Sequence, residues 1–295
     1  MVLGRLNSGR QLATFIGFLA ILMWSFLAVF TEGSGTVPPF QLTAMSLTVG
    51  GIIGVIAQLY KRAPVLQPVS PTVLGLGIFG LFGFHFFYFS ALRNAPAIEA
   101  GLISYLWPIL IILFSALLPG ERLRWFHIAG GALGLSGAVL IVSKGGQIAF
   151  QAEYGFGYIM ALLSALTWSS YSVLSRRAAH VPTHVITVFC LISAMLSGIC
   201  HLMLETTVVP ANLLQWVSVL FLGLGPVGLA FYVWDYGVKH GNIQVLGALS
   251  YLAPLFSTAL LILTGFAELS SVVLIAGVMI TGGAVLGSRD VFLKS

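Results

Sequence analysis

Charged side chains are scarce in this sequence. Asp, Glu, Lys and Arg make up 7% of its 295 residues, whereas 58% are hydrophobic. A typical soluble protein is about 25% charged, and it needs that charge to cover its surface. The mean hydropathy of +1.03 points the same way. The composition therefore excludes most soluble classes and predicts an integral membrane protein.

Several functional signatures are missing as well. The net charge is +5, but no run of Lys and Arg is longer than the pairs at 61–62 and 176–177, so the sequence does not indicate a nucleic-acid partner. The two cysteines, Cys190 and Cys200, have no Cys or His partners at metal-binding spacing. The sequence has no His-Glu-x-x-His motif and no P-loop. We therefore expect no enzyme activity, no ATP hydrolysis, no bound metal and no cofactor.

Polar residues, Pro and Gly divide the chain into apolar segments of about 20 residues, the length that crosses a bilayer as a helix. Ten such segments are present, so we predict an all-α integral membrane protein with ten transmembrane helices. Their expected bounds are 11–31, 39–60, 71–92, 97–118, 124–143, 155–175, 183–204, 213–236, 243–265 and 271–287.

The few basic residues are distributed unevenly among the loops. If the N-terminus is cytoplasmic, eleven of the thirteen Lys and Arg residues fall on the cytoplasmic side, and only Arg93 and Lys144 fall on the other side. Cytoplasmic loops of membrane proteins carry such an excess of basic residues. Because one helix more or fewer would scramble this pattern, it predicts ten helices with both termini in the cytoplasm.

The two halves of the sequence resemble each other. Residues 101–108 read Gly-Leu-Ile-Ser-Tyr-Leu-Trp-Pro, and residues 247–254, 146 positions later, read Gly-Ala-Leu-Ser-Tyr-Leu-Ala-Pro. Trp24-Ser25 corresponds to Trp168-Ser169 in the same way, with a shift of two residues. We therefore divide the chain into a first repeat, 1–146, and a second repeat, 147–295, within one integrated transmembrane domain.

The odd number of helices in each repeat determines how the halves are oriented. Five helices in the first repeat make the second repeat enter the membrane upside down relative to the first. Inverted repeats of this kind are typical of secondary transporters, whose substrate sites lie near the bilayer midplane between the repeats. The sequence thus favours transport over catalysis.

The repeated octapeptide places a proline inside each of two predicted helices. Pro108 and Pro254 remove the hydrogen bonds to the carbonyls of Ser104 and Ser250, and a free carbonyl in lipid costs several kcal/mol. We expect a hinge or kink at each proline, with the freed carbonyls facing another helix, their own serine hydroxyls or a wet cavity. The alternative is a kinked face that only packs against its neighbours.

Aromatic and polar residues near the middle of the predicted helices are candidates for contact with a substrate. Trp and Tyr normally collect at the membrane interfaces, so a central position favours a cavity, although an aromatic stripe that only packs in the core is the alternative. A histidine in a span fits a substrate or proton path and a packing role equally well. His85 and Tyr88 share one face of the third helix, and Trp168 and Tyr171 share one face of the sixth helix. The other candidates are Trp24, Tyr105 and Tyr251.

Two carboxylates fall at or near the ends of predicted helices. Glu99 begins the fourth helix, where the helix dipole stabilises an anion, and this structural role is the simpler interpretation. Asp235 lies near the end of the eighth helix, between Trp234 and Tyr236, and it either attracts a cation or lies in the membrane interface. Aromatic walls that carry hydroxyl groups suit an amphipathic zwitterion or an organic cation.

The same residues carry a resemblance to a known family. The chain resembles the EamA branch of the drug/metabolite transporter superfamily over essentially its whole length, and within that branch it is most similar to bacterial aromatic amino acid exporters. The matching elements are Ala97-Ile98-Glu99 followed by Tyr105-Leu106-Trp107-Pro108, Trp168 with Tyr171, and His240-Gly241-Asn242 followed by Ser250-Tyr251 and Pro254.

This resemblance implies a basket of ten helices around a central cavity in the bacterial inner membrane. It implies alternating-access export of aromatic and other neutral amino acids, with Tyr105, Trp107 and Trp168 lining the cavity. A multidrug exporter of planar organic cations, such as quaternary ammonium or viologen compounds, is the alternative. A membrane enzyme or a receptor is a further alternative, but it would need a set of catalytic residues or a larger soluble domain, and the sequence shows neither. The expected partners are the small-molecule substrate and the lipid bilayer, and the expected assembly is a monomer.

Overall fold

A computed structural model of the chain describes residues 2–65, 69–148, 150–263 and 268–289. Within these ranges the backbone forms helices and turns, with no β-strand. Besides the α-helices there is a π-helix at Phe79–Gly83, and there are short 3-10 helices at Ala152–Tyr154 and Thr183–Val185. The α-helices are α1 (Val2–Trp24), α2 (Leu27–Gly33), α3 (Pro39–Tyr60), α4 (Pro71–Ile78), α5 (Phe84–Asn94), α6 (Ala97–Ser104), α7 (Trp107–Ser115), α8 (Trp125–Ser143), α9 (Gly155–Arg177), α10 (Ile186–Leu204), α11 (Leu213–Leu224), α12 (Leu229–His240), α13 (Ile243–Leu249), α14 (Leu252–Leu263) and α15 (Ser271–Gly287).

Nine helical segments of the described chain are long and apolar enough to cross a bilayer. A further apolar helix, Ser271–Gly287, has 17 residues. These ten segments, numbered 1 to 10 below, coincide with the predicted ones to within a few residues; the end expected at Gly265 lies outside the described residues. Segments 1 to 9 are Gly9–Gly33, Pro39–Tyr60, Pro71–Asn94, Ala97–Ser115, Trp125–Ser143, Ala152–Arg177, Thr183–Leu204, Leu213–His240 and Ile243–Leu263.

Polar residues and prolines in the loops determine where several segments begin. The side chains of Ser70, Asn212, Asn242 and Ser270 each accept a hydrogen bond from the backbone amide three residues later, which satisfies a free N–H group at the start of the helix. Pro71 follows Ser70 at the first helical position, where a missing N–H leaves no bond unmade. The polar breaks of the sequence therefore act as helix caps.

Apolar side chains cover the outside of the bundle, and many small polar side chains lie inside it. Phe15, Ile56, Leu202 and Val278 are exposed, whereas the buried residues include a long series of serines and threonines. This distribution suits a protein surrounded by lipid, because hydrocarbon accommodates apolar side chains while polar groups need partners inside the protein.

Each segment of the first half packs against a segment of the second half. Segment 1 packs against segment 8, segment 2 against 7, segment 3 against 6, segment 4 against 9, and segment 5 against 10. If five is added to the numbers of segments 1 to 5 and subtracted from those of segments 6 to 10, the same five pairs result. Two close backbone contacts are related in the same way. Gly157 lies against Asn94, and Gly241 lies against Thr14; the repeat spacings convert the first pair of positions into the second to within one residue.

Glycines allow segments 5 and 10 to approach each other closely. A Cβ atom at Gly130 would lie 2.5 Å from the Gly287 nitrogen and 2.6 Å from the Gly283 oxygen. A Cβ atom at Gly283 would lie 2.6 Å from the Gly130 oxygen. Backbone atoms cannot move aside as a flexible side chain can, so only glycine fits where these two helices cross.

We predict that Gly130→Ala lowers the melting temperature of the detergent-solubilised protein by several degrees. Alanine raises intrinsic helix stability by about 1 kcal/mol relative to glycine, but here its methyl group would force α8 and α15 apart. The matched control is Gly198→Ala in α10, where an added Cβ would meet no atom within 4 Å, and it should leave the melting temperature unchanged or raise it. Equal melting temperatures for the two variants would contradict the packing argument.

Candidate functional site

Five segments contain an interruption of the α-helix, and most interruptions lie near the middle of the segment. They fall at 25–26 in segment 1, at the π-helix in segment 3, at 105–106 in segment 4, at 225–228 in segment 8 and at 250–251 in segment 9. Irregular backbone at membrane depth is tolerated where protein groups or a wet cavity supply hydrogen-bond partners. The interruptions therefore identify the centre of the bundle as the candidate site.

Four tryptophans meet at this centre, and we call them the tryptophan cluster. Trp24 is the last residue of α1, Trp107 the first residue of α7, and Trp168 and Trp234 lie within α9 and α12. All six pairs of rings are in contact, with centroid separations from 5.0 Å for Trp24 and Trp234 to 6.5 Å for Trp107 and Trp168. Segments 1, 4, 6 and 8 thus converge on one aromatic site.

Further aromatic rings extend the cluster toward segment 3. The ring centroids of Phe84, Phe231 and Tyr171 lie 5.6, 5.7 and 5.4 Å from that of Trp168. Tyr88 stacks on Phe84 at 5.8 Å with an interplanar angle of 4°. The candidates Trp24, Tyr88, Trp107, Trp168 and Tyr171 therefore lie together.

His85 joins the same group of residues. Its ring lies edge-on to Phe231, with the centroids 6.2 Å apart, and its Nδ1 lies 2.7 Å from the Leu81 carbonyl oxygen one helical turn earlier. Tyr105 directly follows α6, at the interruption of segment 4, and is half-buried. Both candidates thus belong to the side of the site that segments 3 and 4 provide.

Two of the four indoles are held in place by hydrogen bonds within the protein. The Trp24 Nε1 donates to the carbonyl of Pro226, which lies in the interruption of segment 8, at 3.0 Å. The Trp234 Nε1 donates to the hydroxyl of Ser172 on segment 6, also at 3.0 Å. These rings are rigid walls whose polar atoms are already occupied.

Other polar atoms of the site have no hydrogen-bond partner among the described residues and are not enclosed by the protein. They are the Nε1 atoms of Trp107 and Trp168, the hydroxyls of Tyr88 and Tyr105, and the Nε2 of His85. Trp107, Tyr88 and Tyr105 are half-buried, and the two others are buried. A ligand in the cluster would therefore find aromatic faces together with several free donors.

Tyr251 lies elsewhere and has a different role from its repeat counterpart. It is fully buried beside α8 and α15, and its hydroxyl accepts from the Ile109 amide at 3.2 Å and donates to the Tyr105 carbonyl at 3.4 Å. These are backbone groups at the interruption of segment 4. Tyr251 thus replaces hydrogen bonds that the broken helix lacks.

The two prolines of the repeated octapeptide lie just after helix interruptions. Pro108 is the second residue of α7, and Pro254 is the third residue of α14. The hydroxyl of Ser104 lies 2.8 Å from the hydroxyl of Ser164, and the Ser250 hydroxyl donates to the Leu246 carbonyl at 2.7 Å. In both segments the helix stops at the Ser-Tyr pair and restarts within three residues.

The two candidate carboxylates differ in their surroundings. Asp235 is buried, and its Oδ2 lies 2.8 Å from both the Lys239 Nζ and the Thr183 Oγ1. The Lys239 Nζ also donates to the Val181 carbonyl at 3.0 Å. The charge of Asp235 is therefore balanced inside the protein. Glu99 lies in the first turn of α6, and its Oε2 is enclosed without a hydrogen-bond partner in the described structure.

Sequence reasoning missed Phe84, Phe231 and Trp234 as members of the site. A signal for two of them was present in the repeat. The spacing of 146 that relates the two octapeptides converts His85 into Phe231 and Tyr88 into Trp234. Each half of the sequence therefore contributes the same two positions of one helix to the aromatic site, with different side chains.

Comparisons with known proteins agree with this architecture. The model of the EamA-like transporter family matches twice, over residues 11–143 and 155–289. The aromatic amino acid exporter YddG of Ancylobacter novellus is 51% identical over 283 residues, which cover 95% of this chain and 98% of that protein. The YddG of Salmonella typhimurium is 28% identical, with 94% and 96% covered.

A more distant relative and a solved structure extend the comparison. The pseudopaline exporter CntI of Pseudomonas aeruginosa is 27% identical, with 87% of each chain covered. The solved structure, described as "Crystal structure of protein", is 51% identical and covers 95% of this chain and 99% of that chain, with a TM-score of 0.90. The similarity thus extends over nearly the whole fold.

We predict that Tyr251→Phe destabilises the protein by about 1–3 kcal/mol, because it leaves the buried amide of Ile109 without its partner. The matched control is Tyr88→Phe, which removes a hydroxyl that has no protein partner and should leave the thermal stability unchanged. Melting temperatures of the two purified variants test the difference. Equal stability of both variants would show that Tyr251 does not support the interruption of segment 4.

Proposed function

Because the chain belongs to the EamA-like transporter family, we propose that it exports aromatic and other neutral amino acids across the bacterial inner membrane by alternating access. The observation that carries this proposal is the tryptophan cluster, a central site that combines aromatic faces with unoccupied donors. Two relatives that match nearly the whole chain are named aromatic amino acid exporters, and their names support the same substrate class.

The chemistry of the site suits an amino acid with an aromatic or other apolar side chain. Aromatic rings attract each other by about 0.5–1.5 kcal/mol beyond the effect of burial, so the fixed indoles of Trp24 and Trp234 favour an aromatic side chain. The N–H groups of Trp107 and Trp168 are suited to a carboxylate, because they only donate hydrogen bonds. An ammonium group is attracted by the faces of the rings.

We propose ten membrane crossings in two inverted repeats, 1–146 and 147–295. The family model matches each half of the chain separately, which supports a duplication. The packing pairs, which convert into one another when each segment number changes by five, also support it. Segment 10, Ser271–Gly287, has 17 residues, the lower limit for a spanning helix.

In this proposal both termini are cytoplasmic. The excess of basic residues in the loops that would then be cytoplasmic supports this orientation. We call the side with Glu121, Arg10 and Arg176 the cytoplasmic side and the side with Glu205 the outer side. All residues of the tryptophan cluster come from one chain, so a monomer suffices for binding.

Alternating access needs segments that bend near the site. The interruptions of segments 4 and 9, each followed by a proline, supply such positions, because fewer backbone hydrogen bonds hold the two parts of the segment together. The alternative of a cation exporter gains no support from Asp235, since its carboxylate is already paired with Lys239.

We predict that the purified protein in liposomes releases labelled phenylalanine, threonine or methionine, and that Trp168→Ala lowers this efflux by about tenfold or more. A tenfold change corresponds to about 1.4 kcal/mol of lost binding, which is within reach of one ring contact. The matched control is Trp216→Ala, which removes a tryptophan on the outside of the bundle that is 47% exposed.

Each result of this assay has a clear meaning. Expression and melting temperature near those of the parent, with efflux lost only for Trp168→Ala, support a substrate contact. Loss of folding in Trp168→Ala, together with normal efflux in Trp168→Phe, would assign the ring to packing. No flux above protein-free liposomes for any of the three amino acids would refute the proposed function.

The proposed orientation predicts a pattern of cysteine labelling in intact cells. The measurement uses a variant in which Cys190 and Cys200 are replaced by serine. Cysteines at the exposed positions Glu32 and Glu153 should react with a membrane-impermeant maleimide added from outside. A cysteine at Lys61, which is exposed as well, should react only after the cells are permeabilised. The reverse pattern would overturn the orientation.

A further inference from the structure

One carboxylate joins the two halves of the protein on the cytoplasmic side. The Oε1 of Glu121 lies 2.8 Å from the Arg10 Nη2 and 2.7 Å from the Arg176 Nη2. The Oε2 lies 3.1 Å from the same Arg10 nitrogen. The Glu121 side chain is only 9% exposed, so the charges attract each other more strongly than those of an ion pair on the surface.

The local sequence presents Glu121 for this contact. Gly120 has a φ of +80°, which glycine adopts without strain, and it follows Pro119 in the loop after segment 4. Arg176, at the end of segment 6, also donates from its Nη1 to the carbonyls of Val238 at 2.9 Å and Gly241 at 2.7 Å. This small network therefore ties together segment 1, the loop between segments 4 and 5, and the ends of segments 6 and 8.

The outer side has an ion pair of its own, Arg93 with Glu205 at 2.6 Å, but among the described residues none lies at the positions that the repeat relates to Arg10, Glu121 and Arg176. The repeat spacing of 144 converts Arg176 into Glu32 and Arg10 into Tyr154, which follows Glu153. The spacing of 146 takes Glu121 to position 267, next to Glu268. Glu32, Glu153 and Glu268 are all exposed. Where the cytoplasmic side has one acid between two bases, the related outer positions have one acid, Glu32, and no base.

The outer end of segment 1 also has different neighbours from its counterpart in segment 6. Gly33 lies against the side chain of Ser218, and Gly35 lies against that of Gln215, both at the start of segment 8. If the outer side followed the repeat, residue 32, the counterpart of Arg176, would instead contact the end of segment 3. Both sides are thus joined across the halves, but the outer side uses other positions, among them Arg93 and Glu205.

We infer that Glu121 is a latch that holds the cytoplasmic side closed, and that the transporter must break its ion pairs with Arg10 and Arg176 before a substrate can enter from the cytoplasm. The inference rests on the proposed alternating access. The repeat-related outer positions carry no base that could form the same ion pairs, so this latch belongs to the cytoplasmic side alone.

The latch is tested with a reporter cysteine in place of Ser175, which is buried in α9 one turn from the cytoplasmic end. Cys190 and Cys200 are replaced by serine, and an impermeant maleimide is added to inside-out vesicles without substrate. Glu121→Gln should raise the labelling rate of the reporter by about tenfold, which is a typical coupling for a conformational equilibrium. The matched control is Arg177→Gln, which removes a contact to the Leu117 carbonyl only and should leave the rate unchanged.

A second variant separates a latch from a merely structural contact. Arg176→Gln should raise the labelling rate as Glu121→Gln does, and the double variant should add little, because both changes break the same interaction. A lower melting temperature without faster labelling in these variants would show that the ion pairs only stabilise the fold, and it would overturn the inference.

Since labelling needs no substrate, absence of amino acid efflux would refute the proposed function without deciding the outcome for the latch.

Discussion

The fold depends on one constraint of the bilayer, namely that every backbone N–H and C=O group must find a partner inside the protein. Unbroken helices satisfy it by themselves, and most of this chain is helical. Where a helix is interrupted, the protein supplies the missing partners from distant parts of the chain. Tyr251 bonds to the backbone at the break of segment 4, and Trp24 bonds to Pro226 at the break of segment 8. The candidate site is assembled where these compensations meet.

The similarity between the two halves of the sequence accounts for aromatic walls on several sides of the candidate site. Equivalent positions contribute Trp24 and Trp168, and Tyr88 and Trp234, to the aromatic site. The two halves differ in which polar atoms already have a hydrogen-bond partner. Trp24 and Trp234 use their N–H groups within the protein, whereas Trp168 does not. A symmetric frame thus carries an asymmetric set of donors.

Two carboxylates, Glu205 and Glu121, each hold several segments together at opposite sides of the bundle. At one side of the bundle Glu205 pairs with Arg93 at 2.6 Å and accepts from the amides of Phe40 and Gln41 at the start of segment 2. At the opposite side Glu121 pairs with Arg10 and Arg176. A buried carboxylate in a protein this apolar is stabilised by such partners, and these two acids therefore mark junctions between segments.

Much of the architecture was predictable from the sequence, because it follows from local properties. The ten apolar segments, several of their caps and the relation between the halves depend on residues that lie near one another along the chain or at a constant spacing. The set of aromatic candidates at the middle of the helices was predictable for the same reason. Even Phe231 and Trp234, which were missed, follow from applying the repeat spacing to His85 and Tyr88.

The tertiary structure alone decided the role of each candidate. Tyr105 and Tyr251 occupy equivalent positions of the repeated octapeptide, yet only the Tyr251 hydroxyl bonds to the backbone of segment 4, whereas the Tyr105 hydroxyl has no partner among the described residues. The sequence left open whether Asp235 attracts a cation or lies in the membrane interface. In the structure its carboxylate is bound by Lys239 and Thr183. Whether an indole is a fixed wall or a free donor depends on partners such as Pro226, which is 202 residues from Trp24. A hydrogen bond requires atoms within about 3 Å, and only the packed helices bring such distant residues together.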